Sequence, residues 1–322
     1  MRIWRVAKLA ELLGVNESEI VEATEQYDDF VAVYRLVGAK KERQVLGTHG
    51  VLRKVQNRLL DRAFRSLLTP SDFSHGGIRG RSIKTNVSAH GASRFVYKAD
   101  VADFYPSITH NRVFHFFRTL GWPEEVARTC TRLCTYQYHL ALGLVTSPIL
   151  ADQIFTPIDA RIAGACKDAD IIYTRYVDDI TLSAAYDLDP NLCGVPSLIG
   201  RVLNEHGFCA KRDKEVHARI DDPTVPITGV CIRHRHLSAT PDFYDRIDNA
   251  LKVAEELQAN KTLECEFFPE QHVRGQIVFA AWLNPGRARP FFRRFRRINW
   301  EIATNHAIAA GILAEKPRLV PI

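Results

Sequence analysis

The chain has 322 residues, of which 46% are hydrophobic and 25% are charged, a balance that is ordinary for a globular protein. This length is sufficient for two or three subdomains that share continuous cores. The net charge of +6 favours a polyanionic partner, although a basic surplus alone is weak evidence for nucleic-acid binding. No apolar run reaches the length of a transmembrane helix, so we expect no membrane association.

The seven cysteines show no metal-ligand spacing and no disulfide framework. An odd number of scattered cysteines predicts reduced thiols and therefore a cytoplasmic location. The amino-terminal stretch contains no uninterrupted apolar segment, so we expect no signal peptide.

Two short helices are predicted over residues 6–27, because apolar residues recur there at helical spacing. Asn16 and Glu19 have the spacing of a capping box at the start of the second helix. A packing helix pair is favoured over a DNA-reading helix-turn-helix, since such pairs are common. Three further segments follow in order: a strand over residues 30–37, a helix over 51–68, and a loop rich in Gly, Ser and Arg over 74–86.

The middle of the chain combines strand and helix patterns. A strand is predicted over residues 95–101, and two β-rich runs over 171–177 and 180–184 flank a pair of aspartates. After Gly229 the pattern becomes mostly helical. No clear linker separates these parts, so we expect one body with lobes. Helices are predicted over 113–120, 124–136, 148–162 and 241–257, and again from residue 272 to the end of that helical region.

Three aspartates are the candidate catalytic residues. Asp100 ends an apolar strand, and Asp178 and Asp179 lie at the tip of the predicted hairpin. Asp-Asp also occurs in ordinary turns. However, converging carboxylates repel one another unless cations bind them, and Mg²⁺ prefers such hard oxygen ligands. We therefore predict a site for two Mg²⁺ ions, with Asp100 and Asp178 as main ligands, Asp179 as a supporting ligand and Asp103 as a structural acid.

The motifs around these aspartates resemble those of reverse transcriptases. Tyr176-Val177-Asp178-Asp179 resembles the YxDD box of that family, and residues 100–108 resemble its first catalytic motif. The remaining family blocks appear in the family's order, and together the blocks span about two thirds of the chain, roughly residues 30–235. They are found at residues 80–90, 143–148, 207–214 and 227–229.

Bacterial retron enzymes are the subgroup that the chain resembles most. Their Asn-Ala-x-x-His signature is similar to residues 86–90, and their Val-Thr-Gly is similar to residues 227–229. Four features depart from the retron pattern: Val177 replaces Ala, Leu142 replaces a Gln that contacts the incoming nucleotide, Lys211 replaces Asn, and the proline expected near Thr48 is missing. These departures keep a non-retron, defence-associated reverse transcriptase open as an alternative.

The resemblance implies an α+β right-hand polymerase. Fingers with the amino-terminal helices are expected over residues 1–94 and a palm with an antiparallel sheet over 95–236. Part of the fingers falls at about 110–140, and a helical, RNA-binding thumb occupies 237–322.

The resemblance also implies roles for residues around the aspartates. Tyr105 corresponds to the aromatic steric gate that rejects a ribose 2′-hydroxyl, although an aromatic packed under the strand is the alternative. Arg43 and Lys41 are expected to hold the triphosphate, Ser147 to shape the nucleotide floor, and Lys214 to neutralise or protonate pyrophosphate. Solvated basic side chains are the alternative for all the cations. The predicted nucleic-acid contacts are Arg79, Arg81, Arg289, Arg293, Arg296 and Arg297.

The implied function is RNA-directed DNA synthesis from dNTPs on a structured non-coding RNA, primed by an internal 2′-hydroxyl of that RNA. In such systems the DNA product restrains an effector protein, a toxin, in antiphage defence. The alternatives are a defence polymerase with a different template or primer, and an RNA-binding protein without catalysis. The presence of all three aspartates disfavours the latter.

Overall fold

A computed structural model describes residues 5–37, 43–233, 235–261, 263–314 and 318–321. The helices are α1 Val6–Leu13, α2 Glu17–Glu25, α3 Gly50–Arg58, α4 Arg65–Leu67, α5 Ile83–Ser88, α6 His110–Thr119, α7 Glu124–Cys134, α8 Ser147–Asp168, α9 Gly194–Glu205, α10 Pro241–Gln258, α11 Glu270–Leu283, α12 Pro285–Phe295 and α13 Trp300–Ala310. The strands are β1 Val31–Val37, β2 Arg43–Thr48, β3 Phe95–Asp100, β4 Ile172–Tyr176, β5 Asp179–Ala184, β6 Val216–Arg219, β7 Val230–Arg233, β8 His236–Ala239 and β9 Arg318–Pro321.

The amino-terminal helices follow their local signals. The backbone N–H of Asn16 donates to Glu19 Oε2 at 2.9 Å, as the capping box predicts. The predicted helix over 51–68 is confirmed, but its centre, Leu59–Phe64, is π-helical. The predicted loop over 74–86 is wrong at its end, because Ser82 caps the short helix α5 by accepting from the backbone N–H of Thr85.

The central sheet has the strand order β4-β5-β3-β6, with every described neighbour antiparallel. Alternation along β3 sends Tyr97 and Ala99 into a core formed with helices α1, α3 and α6 to α9, while Val96 enters a second core. The register pairs Asp100 with Asp179. The sheet thus places the first predicted catalytic strand directly beside the predicted hairpin.

The second core unites α10, α11 and α13 with the two-stranded sheet of β7 and β8. The chain is mostly helical after Gly229, as predicted, and β7 and β8 are short strands within this region. Their runs are only four residues long, which is too short for a clear alternation signal. Val230 and Ile232 of β7 pack in the second core. The predicted domain boundaries, including the one between the palm and the thumb at residue 237, stay a prediction.

A third sheet has the order β2-β1-β9, so the last described strand pairs with the first. The register pairs Tyr34 with Pro321 and Val37 with Arg318. Just before this strand, the backbone N–H of Ala314 donates to the carbonyl of Phe267 in the second core at 2.8 Å. Four residues of extended chain span at most about 14 Å. The short distance between Ala314 and Arg318 therefore places the second core close to β1.

The seven cysteine thiols are free, and those of Cys130, Cys134, Cys166 and Cys231 are buried. Among the described residues, no helix is both long and apolar enough to cross a membrane.

His90 ties the end of the α5 segment to the central sheet. Its ring is fully buried, with Nδ1 2.6 Å from the Ser183 hydroxyl and Nε2 2.8 Å from the Thr174 hydroxyl. These contacts give His90 a structural role. Burial lowers the pKa of His90 to about 3, with a smaller contribution from His75. The ring therefore stays neutral in the folded protein near neutral pH.

We expect His90 to weaken the fold as the pH falls. An unfolded histidine titrates near pH 6.5, whereas folded His90 does not, so the unfolded state gains a proton below about pH 6.5 and the free energy of unfolding drops. In urea unfolding, the stability gap between the wild type and His90→Gln should narrow by about 2 kcal/mol from pH 7 to pH 5. A gap that stays constant over this range would contradict the assignment.

Candidate active site

A two-residue turn between β4 and β5 presents the paired aspartates. Tyr176 pairs with Asp179, leaving Val177 and Asp178 as the loop residues. Val177 has a φ of 59°, which is unusual for a β-branched side chain and costs about 1–3 kcal/mol. Such strain persists only where the surroundings hold the backbone in place.

The loop before α5 holds this turn from one side. A Cβ atom added at Gly76 would lie 2.5 Å from Val177 Cγ2 and 2.6 Å from the Val177 nitrogen. Glycine therefore allows the loop to approach the turn closely. The backbone N–H of His75 donates to the carbonyl of Arg175 at 2.7 Å, and Gly77 approaches Pro148 at the start of α8 in the same way.

A buried arginine supports the turn from beneath. The Arg175 side chain is 1% exposed, and its Nη1 donates to the carbonyl of Val177 at 3.0 Å. The same guanidinium pairs with Asp152 at 3.0 Å and with Asp159 at 2.8 and 2.9 Å, both on α8. The ring of Phe155 lies 4.6 Å from the guanidinium carbon. Burial opposes the charge of Arg175, but the two carboxylates outweigh burial and raise its pKa.

The acids in this network have further partners. The Tyr173 hydroxyl donates to Asp159 Oδ1 at 2.6 Å, and the Ser71 hydroxyl donates to Asp159 Oδ2 at 2.6 Å. The backbone N–H of Ser71 donates to Asp152 Oδ2 at 3.0 Å. Sequence reasoning missed Arg175, Asp152 and Asp159 as positioning residues. The available signal was two acids seven residues apart on the otherwise apolar stripe of α8.

The three predicted catalytic aspartates lie beside one another at one end of the central sheet, where β3 ends and the β4–β5 turn begins. Asp100 and Asp179 are register partners, and the backbone N–H of Val101 donates to the carbonyl of Asp178 at 3.0 Å. Two lysines contact the same group: Lys214 Nζ lies 2.7 Å from Asp100 Oδ2, and Lys211 Nζ donates to Asp100 Oδ1. The Lys211 position, where the retron pattern has Asn, thus contributes a cation to the site.

The negative charges of the three aspartates are unevenly compensated by the two lysines. Burial would raise the pKa of Asp100, but the hydrogen bonds from Lys211 and Lys214 outweigh it and hold the pKa below its usual value. Burial, followed by the negative charge of Asp100, raises the pKa of Asp178. Burial also raises the pKa of Asp179, followed by the charges of Asp178 and Asp100. The hairpin tip is therefore short of positive charge.

This donor set fits divalent cations. Carboxylate oxygens are the ligands that Mg²⁺ prefers, and added positive charge would relieve the repulsion that raises the pKa values of Asp178 and Asp179. Among the described residues, no three metal-ligating side chains are already drawn together around one point, and lysines pair with Asp100 instead. Mg²⁺ itself therefore stays a prediction.

Tyr105 and Ser147 lie near the aspartates in different ways. Tyr105 is half-buried against the main core, and burial, with the charge of Asp178, raises its pKa to about 12. The Ser147 hydroxyl is buried and donates to the carbonyl of Ala141 at 2.8 Å. This hydrogen bond fixes the loop before α8. Because Ser147 is buried, it would shape a nucleotide site by positioning that loop and not by direct contact. Asp103 is exposed, with a φ of 43°.

The predicted basic contacts have varied surroundings. Arg43 is exposed at the start of β2, and Lys41 lies outside the described residues. Arg79 is exposed, whereas the Arg81 guanidinium donates to the carbonyls of Ser71 and Ser74. Arg81 thus has a structural role in the loop before α5. Nucleic-acid contact by these residues stays a prediction.

The predicted arginine face forms at the end of α12. Phe292 and Phe295 pack against the second core, as the sequence pattern indicates, while Arg294 pairs with Asp248 and Glu255. The side chains that remain exposed are those of Arg289, Arg293, Arg296 and Arg297. The antiparallel sheet, its helical layers and the acids at the hairpin tip together define an α+β, right-hand polymerase palm.

Comparison with known proteins agrees with this class. Residues 37–234 match the family model described as reverse transcriptase (RNA-dependent DNA polymerase). The retron Mx65 reverse transcriptase of Myxococcus xanthus is 30% identical over 281 residues, which are 81% of this chain and 61% of that protein. The retron Ec86 reverse transcriptase of Escherichia coli is 37% identical over 145 residues, 45% of each chain. The chain belongs to the reverse transcriptase family.

The chain spans about half the length of the curated relatives that it matches, with 45%, 61% and 52% of three retron enzymes covered. A solved structure of telomerase from Candida albicans, in complex with a fragment of telomeric RNA, aligns over 79% of this chain and 47% of that one. Its TM-score is 0.46 and its sequence identity 13%.

We expect replacement of Arg175 to destabilise the protein strongly. Arg175→Met would leave Asp152 and Asp159 buried without their cation, which costs about 3–5 kcal/mol of unfolding free energy. Urea denaturation measures this loss. The matched control is Arg161→Met, which removes an exposed arginine paired with Glu205 and should change stability little. Equal effects of the two substitutions would contradict the role of Arg175.

We expect Gly76→Ala to displace the catalytic turn. The new methyl group would collide with the backbone at Val177, so the turn must shift, and a shift of about 1 Å at a catalytic group can cost about 100-fold in rate. Nucleotide incorporation on a primed template measures the effect. The control is Gly164→Ala, because an added Cβ meets nothing within 4 Å there. Normal incorporation by Gly76→Ala would show that this contact does not position the turn.

Proposed function

We propose that this chain is the RNA-directed DNA polymerase of a retron. The observation that carries the proposal is the backbone pairing that places Asp100, at the end of β3, beside Asp178 and Asp179 at the β4–β5 turn in a member of the reverse transcriptase family. In the proposed reaction, a terminal hydroxyl attacks the α-phosphate of a dNTP, and pyrophosphate leaves.

Asp100, Asp178 and Asp179 would hold two Mg²⁺ ions, which supply activation of the attacking hydroxyl and stabilisation of the leaving oxygen when bound. Lys214 is exposed enough to turn from Asp100 toward a phosphate, since half of its side chain is accessible. It would then neutralise pyrophosphate as the leaving group forms. Lys211 is the more enclosed of the two, at 24% exposure, and would remain as the positive charge beside Asp100.

Tyr105 and Arg43 would select and hold the incoming nucleotide. Tyr105 packs against the core around α8 and lies near the negative charge of Asp178. This packing supports the proposal that its ring is fixed and rejects a ribose 2′-hydroxyl. The exposed position of Arg43 at the start of β2 supports contact with the triphosphate. Arg79 and the exposed arginines of α12 would bind the phosphates of template and product.

The resemblance to retron reverse transcriptases motivates a finer proposal, in which the template is a structured non-coding RNA and the primer is an internal 2′-hydroxyl of that RNA. The finer proposal includes a cytoplasmic location, a role in antiphage defence and an effector protein restrained by the DNA product. The second candidate is a defence-associated polymerase with another RNA or primer. Leu142 favours it, because this position lacks the glutamine expected in retrons.

The test is to isolate the protein from its native locus and to digest the bound nucleic acid separately with RNase and DNase. A short DNA joined to RNA through a branch supports the retron proposal. DNA without a branch moves the proposal to the second candidate. Bound RNA without DNA, and no dNTP incorporation on supplied templates, would refute polymerase activity.

We expect Asp178→Asn to reduce dNTP incorporation below about 1% of the wild-type rate. The substitution removes a carboxylate charge, and with it several kcal/mol of transition-state stabilisation. Primer extension measures the rate, and the exposed Asp168→Asn on α8 is the control that should remain active. Substantial extension by Asp178→Asn would exclude this residue from catalysis.

A further inference from the structure

A groove between α6 and α7 lies apart from the catalytic residues. Its volume is about 570 Å³, within the range of about 300–1,000 Å³ that is typical of small-ligand sites. The two helices supply the walls, and a turn after α7 closes one end. The side chains that matter for the argument are those of His110, Phe114, His115, Arg128, Arg132 and Tyr138.

The turn at the end of the groove displays Tyr138 to solvent. Tyr136 and His139 exchange backbone hydrogen bonds at 2.9 and 3.1 Å, and the two residues between them, Gln137 and Tyr138, have φ values of 47° and 66°. Turns of this kind favour Asn-Gly, because bulky side chains resist a positive φ. Tyr138 is nevertheless 77% exposed, so burial of its ring does not offset the strain.

Tyr138 has an aromatic neighbour at the mouth of the groove. Its ring centroid lies 5.2 Å from that of His110, and the backbone N–H of His110 donates to the carbonyl of Tyr138 at 2.7 Å. The first turn of α6 therefore holds the displayed residue in place. The half-buried ring of Phe114 forms part of the wall. Exposed and anchored aromatic rings of this kind stack on nucleobases.

Two guanidinium groups face the same groove. The Arg132 guanidinium carbon lies 4.6 Å from the Tyr27 ring centroid, and its only ion pair among the described residues is the 3.6 Å contact with Asp28, whose side chain is 78% exposed. Arg128 is 70% exposed and pairs with Glu124 on its own helix. Exposed pairs of this kind contribute little to stability, so both arginines are free to exchange these partners for a phosphate.

We propose that this groove is a second nucleic-acid site that holds one unpaired nucleotide of a bound strand. The base stacks on Tyr138 and His110, and Arg128 and Arg132 bind the adjoining phosphate. The volume admits a single nucleotide but no duplex, and unpaired bases are commonly held by aromatic and arginine side chains in this way. The groove shares no residue with the aspartate site, so the inference goes beyond the proposed polymerase activity and does not depend on it.

Photo-crosslinking locates the strand. A short single-stranded RNA with a photoreactive uridine, bound to the full chain, should crosslink within the tryptic peptide of residues 133–161, at Tyr138. A parallel DNA oligonucleotide identifies which strand type the groove prefers. Crosslinks resolved to single residues distinguish the sites, because the tryptic peptide of residues 99–112 carries both Asp100 and His110. Crosslinks confined to the neighbourhood of the catalytic aspartates or to the α12 arginines, with none at Tyr138 or His110, would overturn the proposal.

Binding variants test the chemistry. Arg128→Ala with Tyr138→Ala should weaken oligonucleotide binding roughly 5- to 100-fold, because stacking on an aromatic ring accounts for most of such an effect. Tyr138→Phe should bind like the wild type, and Tyr138→Gly should lose binding although it relieves the backbone strain. The control pairs Arg161→Ala with Tyr186→Ala, an exposed arginine in an ion pair and an exposed tyrosine elsewhere.

The outcomes separate this proposal from the proposed function. Loss of binding in the groove variants supports the site whether or not the wild type incorporates dNTPs. Unchanged binding in folded groove variants overturns it, even if the wild type is an active polymerase. Binding of free AMP as tight as that of the oligonucleotide, with displacement of the crosslink, would overturn the assignment to a strand.

Discussion

The buried pairing of Arg175 with Asp152 and Asp159 is the interaction on which the position of the Asp178–Asp179 turn depends. One guanidinium joins the β4–β5 hairpin to two turns of α8 and also binds the carbonyl of the strained residue Val177. Replacing such a group by apolar residues is often neutral for stability. Its physical value here is geometric, because it fixes the turn against a long helix while leaving one negative charge in excess.

The β4–β5 turn combines a strained backbone at Val177 with two partly buried acids of like charge, Asp178 and Asp179. Close approach of Gly76 prevents the backbone at Val177 from relaxing. Burial raises the pKa values of Asp178 and Asp179, and the charge of Asp100 raises both further. Lys211 and Lys214 compensate the negative charge of Asp100, but among the described residues Asp178 and Asp179 lack equivalent positive partners. If the backbone were free, these mutually repelling carboxylates would move apart. The fold keeps them close together.

Much of this arrangement could be predicted from the sequence. Alternating apolar residues located β3, β4 and β5, and the Asp-Asp pair located the turn, because these signals are local. The supporting residues were not predictable in the same way. Asp152 and Asp159 lie in a helix whose apolar stripe appears complete without them, and their partner Arg175 lies on another element. Lys211 was visible only as a departure from the family pattern, and its contact with Asp100 depends on tertiary structure.

The pairing of β9 with β1 was invisible to local patterns, and it has a consequence for the time course of folding. About 280 residues separate the two strands, so β1 cannot acquire this neighbour until residues 318–321 have been synthesised. At about 5–20 residues per second, that interval is roughly 15–60 s. During it, one edge of β1 offers unpaired backbone groups to any other chain. The nascent protein is thus vulnerable to aggregation at β1, and pairing with β9 covers that exposed edge.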